Sequence, residues 1–87
     1  MDDELIRLRA KIDEIDGRLL AAFLERMRTA EAIGAWKAAH GLPVRDEERE
    51  AALISRVRNL VGPRDADAAA ALYETLLRLS RDRQSNS

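Results

Sequence analysis

Residues 5–19, "LIRLRAKIDEIDGRL", decide the fold. Leu5, Leu8, Ile12, Ile15 and Leu19 recur at spacings of three and four, which is the pattern of an amphipathic helix. Asp2 or Asp3 can cap its start, where acids suit the positive end of the helix dipole. Beyond this stretch nothing stops the helix early: Gly17 and Gly34 are its interior weak points, and the first proline is Pro43. The pattern predicts one helix over about residues 3–39, roughly 55 Å long at 1.5 Å per residue. The remainder of the chain is too short to cover it. A partner chain is expected.

The totals agree. A chain of 87 residues is bounded to a single domain spanning 1–87. At that size only about 60% of the unfolded surface is buried, so a monomeric core is marginal. With no cysteine, neither a disulfide framework nor a thiolate metal site makes up the difference. Oligomerisation remains as the source of extra burial. The net charge of -1, from 15 basic and 16 acidic residues, argues against a nucleic-acid partner. No apolar run approaches the roughly 20 residues that span a bilayer, so no membrane association is expected. The acidic start "MDDELIRLRA" lacks the apolar core of a signal peptide, and a cytoplasmic location is expected. One Phe, one Tyr and one Trp leave an aliphatic core.

"HGLP", residues 40–43, ends the long helix, with Gly41 as its C-terminal stop and Pro43 forbidding continuation. Asp46 is placed to cap a second helix over about 46–61, with an apolar face of Leu53, Ile54, Val57, Leu60 and Val61. "VGPRDAD" breaks that helix, and Asp65 or Asp67 can cap a third over about 66–83, striped by Leu72, Tyr73, Leu76, Leu77 and Leu79. The polar tail "QSNS" is expected to fray. There is no repeat, linker or strand pattern. The fold class is all-α, with a long, a short and a medium helix per chain.

Polar residues stand on these apolar stripes. Projected at 100° per residue, Arg26 and Lys37 fall inside the stripe that runs from Leu5 to Leu19, and Arg9 borders it. Arg49 and Glu50 sit one turn before Leu53, and Ser80 and Gln84 continue the Tyr73–Leu77 series. Taken singly, each is accounted for as a rim residue with its charge reaching out to water. Glu25, Glu31, Arg28 and Arg18 read as surface pairs at helical spacing. His40 lacks a second ligand for a metal, and Trp36 reads as a half-exposed packing residue. As a set, however, the three helices direct several cations, a carboxylate, a hydroxyl and a carboxamide toward a shared interior. Buried cations without enough buried anions are costly. A small dianionic ligand would fill that deficit.

"LRAKIDEID" (8–16), "LLAAFLERM" (19–27) and "WKAAHGLPVRDEERE" (36–50), followed by a late Ser and Gln, together resemble the all-α chorismate mutase family. The resemblance runs from about Leu5 to Gln84. It implies an intertwined homodimer, a six-helix bundle in which two long first helices cross and two active sites are buried. It further implies that Arg9 is donated across the interface and that Arg26 serves its own chain's site. Lys37 then reaches the substrate's ether oxygen, and Gln84 also lies near it. Asp46, Arg49 and Glu50 match the acid–Arg–Glu pattern of "RDEERE", with Glu50 taking the substrate hydroxyl. Ser80 and Gln84 match the pair on the third helix. One segment departs: "NLVGPRDADAA" (59–69) is shorter than the usual connection, so Ser80 and Gln84 are aligned by their mutual spacing.

The activity so implied is the intramolecular rearrangement of chorismate, a dianion, to prephenate. It requires no nucleophile, metal or cofactor, which suits a chain without cysteine. Arg9 and Arg26 would hold the compact conformer through forked bonds to its carboxylates. Lys37 and Gln84 would stabilise charge building on the ether oxygen. Two alternatives share the scaffold or the fold. One is an isochorismate-pyruvate lyase or aminodeoxychorismate mutase; the other is a weakly active regulatory module that docks to another shikimate-pathway enzyme.

Overall fold

The computed structural model describes residues 2–86; Met1 and Ser87 lie outside the described residues, as does the side chain of Asp2, one of the two expected caps. Three helices form: α1, Asp2–Ala39; α2, Glu47–Val61; and α3, Ala66–Ser85. No strand occurs among the described residues.

α1 runs unbroken for 38 residues. It stops where the sequence predicts, and the hydrogen bonds show how. Gly41 takes a left-handed φ of +66°, Leu42 N donates to the Lys37 carbonyl at 2.9 Å, and Gly41 N donates to Ala38 at 3.4 Å. This is the paired closure of a Schellman end, which satisfies carbonyls that the helix leaves open. His40 stacks on Trp36, with ring centroids 3.9 Å apart, and its Nδ1 lies 2.7 Å from the Trp36 carbonyl oxygen.

α2 begins on Asp46, whose Oδ1 accepts from Arg49 N at 3.0 Å while Glu47, Glu48 and Glu50 fill the first turn. Both features suit the electropositive end of a helix. Leu53 and Val57 are buried, but Leu60 and Val61, expected on the same face, are exposed. Gly62, at φ +84°, ends the element. At the start of α3, Asp65 occupies the cap position without a side-chain cap bond. Asp67, the other candidate cap, instead accepts from Arg58 at 2.7 Å and ties α2 to α3.

α3 packs against both α1 and α2, which do not pack on each other. The small core holds Met27 and Ala30 from α1, Leu53 and Val57 from α2, and Ala70 from α3. Glu31 does not pair within its own helix as its spacing suggested. It binds Arg83 of α3 at 3.0 Å and helps to hold the end of α3 on α1. α3 runs two residues beyond its expected end at 83, and Asn86 N donates to Asp82 O at 3.2 Å to close it.

Only the C-terminal half of α1 is covered. The molecule measures 58 × 27 × 15 Å, its long dimension set by α1. Along the other half Leu5, Leu8, Ile12, Ile15 and Leu19 retain 47%, 56%, 56%, 39% and 54% of their exposure. Burying such a stripe is worth on the order of 5 kcal/mol. That is comparable with the whole stability of a small domain, about 5 kcal/mol at the low end.

Candidate active site

The polar residues that stand on apolar stripes converge on the seam between α1 and α3. Arg26 is half-buried on α1, donates from Nη1 to the buried Ser80 Oγ, and places its guanidinium carbon 5.9 Å from the centre of the Tyr73 ring. Three turns further along the same face, Lys37 donates from Nζ to the Val44 carbonyl at 2.6 Å and to Gln84 Oε1 at 2.9 Å. The Schellman turn brings Val44 back over the last turn of α1, so one loop both stops the helix and holds its lysine.

Gly34 explains how α3 comes so near. A Cβ at this position would lie 2.6 Å from the Gln84 carbonyl oxygen and 2.7 Å from its Cα. Any other residue would push the last turns of α3 outward. The glycine is therefore a close-approach residue, one turn before Lys37 on the helix that α3 rides.

Glu50 faces inward from the first turn of α2, its side chain 15% exposed. Its Oε1 accepts from Arg81 Nη1 and lies 3.9 Å from Arg45 Nε. No buried side-chain nitrogen or oxygen among the described residues lacks a partner. The turn also walls an open hollow lined by Lys37, Leu42, Pro43, Arg45, Asp46 and Glu47.

Arg26–Ser80 and Lys37–Gln84 thus form two hydrogen-bonded pairs along one seam, with Glu50 on the adjoining helix. Three expected site residues stand apart in the single chain. Arg9 lies exposed on the bare half of α1, about 25 Å along the helix from Arg26 at 1.5 Å per residue. Asp46 has one carboxylate oxygen engaged as a helix cap, and Arg49 takes part through its backbone while its side chain is exposed. Arg81, Arg45 and Gly34 were not singled out for the site from sequence. Arg81 lies four residues after Leu77, and its side chain turns toward α2, a direction that one sequence does not record.

Chemically, the seam gathers cationic and amide hydrogen-bond donors. Lys37 has three donor hydrogens and two are used; Gln84 has its oxygen taken, which leaves its NH2 group as the outward end. Together with the forked donors of Arg26 they give the seam the chemical means to hold a small, multiply charged acid. Residues 8–85 match the family model described as chorismate mutase type II. The chain belongs to the type II chorismate mutase family.

Curated relatives agree. The chain is 36% identical over 67 residues to "Chorismate mutase" of Methanocaldococcus jannaschii, covering 77% of this chain and 68% of that protein. It is 35% identical over 80 residues to "Intracellular chorismate mutase" of Mycolicibacterium smegmatis, covering 92% and 73% respectively. It is also 32% identical over 79 residues to "T-protein" of Haemophilus influenzae, of which it spans only 21%. No solved structure gives a significant match. No helix among the described residues is long and apolar enough to cross a membrane.

Proposed function

We propose that the protein is a chorismate mutase, converting chorismate to prephenate within a site that two copies of the chain complete. The observation that carries this reading is the Lys37–Gln84 pair, locked together at 2.9 Å with donors to spare on both side chains. A reaction that only rearranges bonds within one molecule needs its reactant held compact and its developing charge met. Arg26, steadied by Ser80 and Tyr73, offers a fork to one carboxylate. Lys37 and the Gln84 NH2 group meet the ether oxygen as its bond lengthens, and so bind the transition state more strongly than the ground state. Glu50 accepts from the ring hydroxyl. Asp46 fixes the start of α2, and with Arg49 it lines the turn end of the site.

Arg9 enters this scheme from the second copy. The uncovered stripe of α1 supports the dimer. So does the apolar groove of about 390 Å³ beside it, lined by Leu19, Phe23, Leu72, Tyr73 and Leu76 with Arg26 among them. A partner's α1 laid along that stripe would bury it and carry a distant arginine toward the seam. Six helices from two crossed chains make up the bundle in this reading.

The test is an absorbance assay of purified protein with chorismate, its products resolved by chromatography. Prephenate as the product is expected. Salicylate and pyruvate formed from isochorismate, with chorismate left intact, would assign the site to a lyase instead.

A further inference from the structure

Arg81 is unclaimed by the site described above, yet it makes a close contact with one of its members. It follows Ser80 directly in α3, but its side chain leaves the α1 seam and crosses to α2, where Nη1 donates to Glu50 Oε1. The two side chains are 26% and 15% exposed, so the pair is partly withdrawn from water. Arg45 approaches the same oxygen from the turn at 3.9 Å, but it is 57% exposed and divides its charge with Glu47 at 3.8 Å. Exposed pairs of that kind hold a carboxylate weakly. Both cations address Oε1.

We infer that Arg81 is a positioning residue for the reaction: it anchors Glu50 through Oε1 and so fixes where the carboxylate meets the substrate's ring hydroxyl. This rests on the chorismate mutase reading. The need for an anchor is physical. Glu50 sits in the first turn of α2 among Asp46, Glu47 and Glu48, whose like charges repel it toward solvent. A flexible carboxylate there samples several rotamers, and a misplaced contact of about 1 Å is enough to lose on the order of a hundredfold in rate. Arg81 reaches it from a different helix, so the same ion pair also registers α2 against α3, at the level where Ser80 and Gln84 face α1.

A double-mutant cycle separates positioning from general stability. Arg81→Met should lower kcat/KM for chorismate on the order of tenfold to a hundredfold, and Arg81→Lys should recover part of that loss. In a Glu50→Gln background, Arg81→Met should have almost no further effect, because the residue it acts through no longer needs holding. Arg81→Gln is carried through the same cycle, so that one folded variant suffices, and circular dichroism confirms the fold. An equal loss from Arg81 substitution with and without Glu50→Gln would overturn the inference while leaving the mutase reading intact. Wild-type protein that leaves chorismate unchanged would overturn both.

Discussion

Lys37 has two donors committed, one to the Val44 carbonyl oxygen and one to the side-chain Oε1 of Gln84, so its third hydrogen has one direction left to point. Lys37→Ala should lower kcat on the order of a hundredfold or more, as for other lost transition-state donors. A rise in KM with kcat unchanged would reduce Lys37 to a binding role. The same bond fixes which way the Gln84 amide faces. Gln84→Glu replaces the outward NH2 with a carboxylate oxygen that repels charge building on the ether oxygen, whereas the protonated acid still donates. Activity of that variant should therefore rise as pH falls, and a profile as high and as flat as wild type would place Gln84 outside the site. Arg26, Lys37, Ser80 and Gln84 were legible in the sequence because a polar group on an apolar helical face is conspicuous there. Arg81 was not, because its meaning depends on a carboxylate 31 residues away on another helix.

At the level of elements, helix ends were the most readable feature. Gly41, Pro43 and Asp46 act locally, and each does what its chemistry requires. Packing was less readable. Leu60 and Val61 share the periodicity of Leu53 and Val57, yet α3 does not cover them, and one sequence records spacing but not which neighbour arrives. Gly34 is the sharpest example, since it looks like a weak point and is in fact the place where α3 docks. Two glycines in the same helix make a controlled comparison. Gly17 would present its Cβ to open space, opposite the apolar stripe, so Gly17→Ala should stabilise the protein by about 0.5–1 kcal/mol. Gly34→Ala should instead displace the end of α3 and lower both the melting temperature and kcat/KM. Denaturation curves and rates for the two variants check this, and a Gly34→Ala protein as active as wild type would show that α3 adjusts without disturbing Gln84.

For the whole molecule, the mismatch between α1 and the rest of the chain was legible from length alone, and it recurs as an uncovered stripe. A shared site makes a quantitative prediction. Arg9→Ala and Arg26→Ala proteins should each be nearly inactive. Unfolded together and refolded, they should recover about a quarter of wild-type activity, because half of the dimers are mixed and each mixed dimer has one intact site. Mixed dimers that form, as judged by a tag on one variant, and yet remain inactive would place both arginines in one chain's site.

If two copies complete the site, the bare half of α1 has a further consequence for how activity scales in a cell. Where assembly is incomplete, a site completed by two copies forms in proportion to the square of the chain concentration. Halving expression would then remove about three quarters of the flux. Unassembled chains would meanwhile display 14 large apolar side chains among the described residues, the whole Leu5–Leu19 stripe included, to proteases and chaperones. Gene dosage, dilution at cell division and turnover of the orphan subunit would thus set output as strongly as any change to the seam itself.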